Sequence, residues 1–187
     1  MRIGGVLLAA GAGTRFRAAG GGQKQLADWQ GRPLVEAAIR VLAAAPLDDR
    51  VVVLGAEADA VEAAVDLHGV RSVRNPRWEE GLATSLRAGL AALDGCDGAV
   101  ILLGDGPSIA PEAVARVADA LRAGATYARA VYPDERYAHP VGLARPAWER
   151  VPETGEGGGR ALGTPDVEVD CSDLPAPGDV DTPDAIG

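Results

Sequence analysis

An apolar run, Val6-Leu7-Leu8-Ala9-Ala10, opens directly into Gly11-Ala12-Gly13-Thr14-Arg15-Phe16, and Lys24, the single lysine of the chain, follows Gly20-Gly21-Gly22. Glycines let backbone approach an anion closely and turn successive N–H groups toward phosphate oxygens. Arg15 and Lys24 add positive charge around that turn in a chain whose net charge is −9. Together they suggest a phosphate cradle. It is not a Walker loop, because Gln25 rather than a hydroxyl residue follows the lysine, and Phe16 stands where the dinucleotide fingerprint needs its third glycine. A Gly-x-Gly after a strand also makes an ordinary tight turn; the two flanking cations favour the anion site.

Two carboxylates complete the candidate chemistry. Residues 99–103 read as a buried strand running into Gly104-Asp105-Gly106-Pro107, and open parallel sheets bind ligands outside the carboxyl ends of their strands. The same four residues also suit a plain turn. Near the end, Thr182 is a good N-cap and Pro183 a good first helical residue, which predicts a short helix with Asp181 held just before it. A capping segment with a surface acid is the plain alternative.

These residues need a scaffold, and the chain supplies alternating elements. Val35, Ala38, Ile39 and Leu42 recur at helical spacing until Pro46; residues 50–55 form a doubly apolar strand; residues 57–67 return to helical spacing until Gly69; residues 70–74 suit a short strand. Leu82, Leu86, Leu90 and Leu93 mark a further helix with Ser85 in its first turn, and another begins at Pro111 with Val114, Val117 and Leu121 inward. The last third changes character, with shorter strands expected at 126–132, 140–143 and 167–169 among Gly/Pro-rich loops. This order predicts an α/β fold, a Rossmann-like three-layer sandwich on a mostly parallel mixed sheet, in one domain over 1–187.

Composition narrows the function. With 187 residues and 47% hydrophobic content the chain can bury a full core. No apolar run approaches the ~20 residues of a membrane span. Cys96 and Cys171 lack metal-ligand spacing, and with no secretory leader pattern the expected location is cytoplasmic. The acidic balance argues against nucleic acid as a partner.

Taken together, Leu8-Ala9-Ala10-Gly11-Ala12-Gly13-Thr14-Arg15-Phe16, Lys24-Gln25-Leu26, Gly31-Arg32-Pro33-Leu34, Leu103-Gly104-Asp105 and Asp179-Val180-Asp181-Thr182-Pro183 resemble the nucleotidyltransferases with a GT-A-like, nucleotide-diphospho-sugar-transferase-like fold. Within them the chain is most similar to the molybdenum cofactor cytidylyltransferases and their guanylyltransferase relatives, the MobA-like NTP transferases. Asn75-Pro76 through Gly81 and Ser85, His139-Pro140-Val141 and Gly155-Glu156-Gly157-Gly158-Gly159-Arg160 add to the likeness.

The resemblance implies transfer of a nucleoside monophosphate from an NTP to a phosphate monoester, with Mg²⁺ as cofactor and pyrophosphate released. It assigns Ala9, Ala10, Gly11, Gly13, Arg15, Lys24, Gly81, Ser85 and Asp105 to the nucleotide. Arg15, Lys24 and Asp105 would be catalytic, Asp105 and Asp181 would hold the metal, and His139 and Arg160 would lie on the acceptor side. Ala-Ala-Gly favours CTP over GTP, molybdopterin is the implied acceptor, and a molybdoenzyme or its chaperone would receive the product. Gly106, Glu156 and the nearly absent terminal helix depart from the family pattern, mainly on the acceptor side. A guanylyltransferase, a transferase for a sugar phosphate or other phosphate monoester, and a catalytically silent nucleotide-binding module are the competing expectations. A nicotinamide-dependent oxidoreductase is disfavoured by Phe16.

Overall fold

The structure, a computed structural model, describes residues 1–134, 136–155 and 162–186. In chain order its elements begin with β1 (Ile3–Ala9), α1 (Thr14–Ala18), β2 (Asp28–Trp29), β3 (Arg32–Pro33) and α2 (Leu34–Ala44). Next come β4 (Asp49–Leu54), α3 (Ala58–Ala64), β5 (Arg71–Arg74), α4 (Leu82–Ala91), β6 (Gly98–Leu103) and α5 (Pro111–Arg122). The last are β7 (Tyr127–Val131), β8 (Val141–Ala144), α6 (Arg145–Trp148) and β9 (Val167–Asp170).

β1 is buried along its whole length because it lies inside the sheet with a layer on each face. Its side chains alternate: Ile3, Leu7 and Ala9 join a core with α2, α3 and α5, whereas Val6 and Leu8 join a second core with α4 and α6. The seven-stranded sheet has the order β5-β4-β1-β6-β8-β7-β9. β1 pairs in parallel with β4 and with β6, placing Leu7 beside Val52 and Leu102. Only β8 runs against its neighbours, pairing antiparallel with both β6 and β7, while β7 and β9 are parallel. The expected α/β three-layer arrangement on a mostly parallel mixed sheet is therefore present. Each fully buried Leu or Ile, such as Leu7, Ile39 or Leu86, contributes about 1.5–3 kcal/mol relative to exposure, so packing on the sheet holds these helices in place.

Local chemistry modifies several expected elements. Helix α3 covers only part of the 57–67 pattern, because Glu57 is left-handed at φ 55° and Val65 is already extended at φ −120°. The expected C-terminal helix is a single 3-10 turn, Pro183–Ile186. Periodicity gave no sign of α1, α6 or the β2–β3 hairpin, all of which are too short to carry a repeat. Among the described residues no helix is long and apolar enough to cross a membrane.

Candidate active site

At the carboxyl end of β1 the chain turns through Gly11-Ala12-Gly13 into α1. Gly13 sits at φ 62°, and a Cβ there would lie 2.7 Å from Lys24 Cβ, so this glycine permits both the turn and the close crossing of the lysine. Gln25, 8% exposed, fixes the loop from the protein side. Its Nε2 donates to the carbonyls of Ala9 at 3.3 Å and Gly11 at 2.5 Å. Phe16 packs with Leu34 and Val180 in a small separate core. The residue that breaks the dinucleotide fingerprint thus pins α1 against the C-terminal segment carrying Asp181.

That segment is also tied to the end of β6, where the Val180 N–H donates to the Asp105 carbonyl at 3.0 Å. Sequence positions far apart consequently meet in one ionic chain. Lys24 Nζ donates to Asp105 Oδ2 at 2.8 Å and approaches Asp181 Oδ1 at 3.4 Å, and an Arg15 guanidinium nitrogen lies 2.8 Å from Asp181 Oδ2. The Lys24 side chain is 12% exposed, against 79% for Arg15. Asp179 joins them as a third acid. Its carboxyl is raised above the ordinary range, first by loss of hydration although the residue itself is exposed, then by the negative charges of Asp105 and Asp181, with Lys24 opposing.

Across the cleft, the start of α4 rests on a buried polar knot. Asn75 Nδ2 donates to Thr84 Oγ1 and Ser85 Oγ, each at 2.9 Å, and its Oδ1 accepts from the Arg77 N–H at 3.0 Å. The Thr84 hydroxyl is 2.9 Å from the carbonyls of both Arg77 and Gly81. Gly81 has φ 106°, and a Cβ there would meet the Gly155 backbone at 2.5 Å. The two chains are stitched by Ala83 N–H to the Gly155 carbonyl at 3.0 Å and by Gly155 N–H to the Glu80 carbonyl at 2.7 Å.

The result is a cleft of about 450 Å³ lined by all of Ala9, Ala10, Gly11, Gly13, Arg15, Lys24, Gly81, Ser85, Asp105 and Asp181. That volume suits a small organic ligand. His139, at the entrance to β8, does not line it, and Arg160 lies outside the described residues. Gln25, Asn75, Trp78 and Glu79 were not assigned to the site from sequence. Trp78 and Glu79 line the cleft, and Gln25 and Asn75 brace its walls. Their signal was adjacency to Lys24 and Gly81, which gives proximity but no role.

Among the described residues no group of three His, Cys, Asp or Glu is placed to hold a metal ion. The pair Asp105 and Asp181 nevertheless converges on one cationic centre, the Lys24 ammonium. Two carboxylates leave the remaining positions of a hard divalent ion to water and phosphate oxygens, so this pair fits Mg²⁺ or Mn²⁺ held jointly with an anionic ligand.

A glycine turn and an acidic strand end at the carboxyl ends of such a sheet define an α/β protein of the kind that binds its ligand outside the strand ends. Residues 5–169 match the MobA-like NTP transferase domain, and the chain belongs to that nucleotidyltransferase family. A relative from Paenarthrobacter nicotinovorans, named nicotine blue oxidoreductase, is 35% identical over 95% of this chain and 91% of its own length. The crystal structure of Rv0371c from Mycobacterium tuberculosis H37Rv superposes with a TM-score of 0.84 at 32% identity, covering 99% of this chain and 95% of that one. A structure of Rv0371c in complex with manganese gives a TM-score of 0.82 at 30% identity, over 99% of this chain and 96% of that one.

Proposed function

We propose that this protein is a divalent-metal-dependent cytidylyltransferase that transfers CMP from CTP to molybdopterin or its molybdenum-loaded form and releases pyrophosphate. The observation that carries the proposal is the convergence of Arg15, Lys24, Asp105 and Asp181 in one cleft beside a glycine turn. An oxygen of the acceptor phosphate attacks the α-phosphorus, the bond from that phosphorus to the β-phosphate oxygen breaks, and pyrophosphate departs with the electron pair. Such a reaction needs alignment and charge neutralisation rather than a protein nucleophile. In this reading Gly11 and Gly13 bring backbone to the phosphates, and Lys24 and Arg15 neutralise the leaving group. Asp105 and Asp181 hold Mg²⁺ or Mn²⁺, which when bound neutralises charge on the phosphate oxygens. Ala9, Ala10, Gly81 and Ser85 shape the base end, and His139 and Arg160 serve the acceptor side. The manganese complex of Rv0371c supports a divalent ion in this family.

Pyrophosphate release from CTP, GTP, ATP and UTP, each with molybdopterin and with a panel of sugar phosphates, tests the assignment. CTP with the pterin should react fastest; a guanine preference or a sugar-phosphate acceptor would replace the substrate and keep the reaction. A silent binding module would release none. The relative from Paenarthrobacter nicotinovorans supports a second reading, an oxidoreductase whose electron donor occupies the same cleft. Oxidation of NADH or NADPH with a dye acceptor would favour it over transfer.

A further inference from the structure

Resting on the metal assignment just proposed, we infer that Lys24 and a divalent cation are alternative occupants of the Asp105–Asp181 pair, so that metal and triphosphate bind as partners and the metal alone binds poorly. The ammonium touches one oxygen of each carboxylate, at 2.8 and 3.4 Å. These contacts are built into the fold: Lys24 is largely buried, and its Cβ passes so close to Gly13 that any side chain there would collide. A divalent ion that uses those oxygens must displace the ammonium, because two cations cannot share them without strong like-charge repulsion.

Charge gives the exchange its direction. Asp105 and Asp181 face Arg15 and Lys24, a balance of charge that the lysine maintains. Adding a metal alone makes the site positive and leaves Lys24 with no carboxylate partner. A triphosphate supplies the missing anion, and the flexible end of the lysine can turn to it. Metal and triphosphate each improve the other's binding, and such coupling is reciprocal. Lys24 thereby holds the two carboxylates together until its replacement arrives, a positioning role beyond leaving-group stabilisation.

Mn²⁺ binding to the nucleotide-free full chain, followed by electron paramagnetic resonance of the unbound ion, reads this directly. Lys24→Met should bind Mn²⁺ about tenfold tighter than the wild type, within the usual span of coupling between sites. Lys24→Arg should stay near the wild-type value. Arg15→Met removes an exposed charge whose one ion pair among the described residues is with Asp181, and should change Mn²⁺ affinity much less. Lys24→Gln serves if the methionine variant fails to fold. Unchanged or weaker Mn²⁺ binding in the neutral variant would overturn the exchange while Asp105→Asn still abolishes binding and the metal assignment stands. An equal gain in Arg15→Met would also overturn it, as a general charge effect. Mn²⁺ binding that survives Asp105→Asn would remove the metal assignment and the exchange together.

Discussion

Gln25 spends one amide on two carbonyls, and the glycine turn depends on it. Gln25→Leu should cost about 1–3 kcal/mol, because it leaves the buried Ala9 carbonyl without that donor; urea denaturation measures the loss. The same variant should weaken nucleotide binding, since the turn is then free to relax. Asp105 differs in kind. Its side chain is partly exposed and bonded to Lys24, so Asp105→Asn should leave the circular dichroism spectrum unchanged. Transfer should fall by about 10²–10³-fold, the range seen when one preorganised electrostatic group is removed from an active site. Retained pyrophosphate release would show that Asp105 is not part of the reaction. Asp105 and Lys24 were readable from the sequence because one ends a strand and the other is the single lysine. Gln25 was not, since nothing in a Lys-Gln pair says that the glutamine turns inward.

At the scale of elements, the two walls of the cleft are held by different means. The glycine turn is pinned by Phe16 on Val180, whereas α4 is pinned by Asn75 through the hydroxyls of Thr84 and Ser85. Asn75→Ala should destabilise by about 1–3 kcal/mol by removing the buried bonds to Thr84 and Ser85, the Ser85 hydroxyl losing its Asn75 donor, measured as a shift in the denaturation midpoint. Gly81→Ala should cost more than ~1 kcal/mol, since it forces a side chain into a positive φ and against Gly155. Long elements were legible for a physical reason: α2, α4 and α5 repeat an apolar pattern often enough to show a helical period, and β1 and β6, buried on both faces, stand out as continuous apolar runs. The 3-10 turn at Lys24–Leu26, the β2–β3 hairpin and α6 exist because tertiary contacts complete them, and five or fewer residues display no period. The shortened α3 reflects local backbone geometry at Glu57 and Val65 overriding a plausible pattern, whereas the short C-terminal helix expected after Thr182 is present as a single 3-10 turn.

Away from the cleft, a charged clamp ties α5 to the segment that follows β9, the strand at one end of the sheet. Arg116 on α5 grips Asp173 with two nitrogens, at 2.6 and 2.9 Å, and also donates to the Asp170 carbonyl at 3.0 Å. The guanidinium draws the Asp173 carboxyl below its ordinary 3.8 to about 2. A depressed carboxyl favours the folded state above its unfolded value, so this contribution is complete above about pH 4. It should vanish as the pH falls toward 2. The melting temperature of the wild type should exceed that of Asp173→Asn at neutral pH, with the difference closing across that acid window. The proposed transfer depends on the carboxyl ends of the central strands β1 and β6, where residues 15, 24, 105 and 181 meet. Calorimetric titration of CTP into the full chain, with and without Mg²⁺ and beside Asp105→Asn, tests it most directly. Saturable, metal-dependent binding by the wild type that is lost in the variant is the predicted result; no binding by the wild type, or equal binding by both, would contradict it.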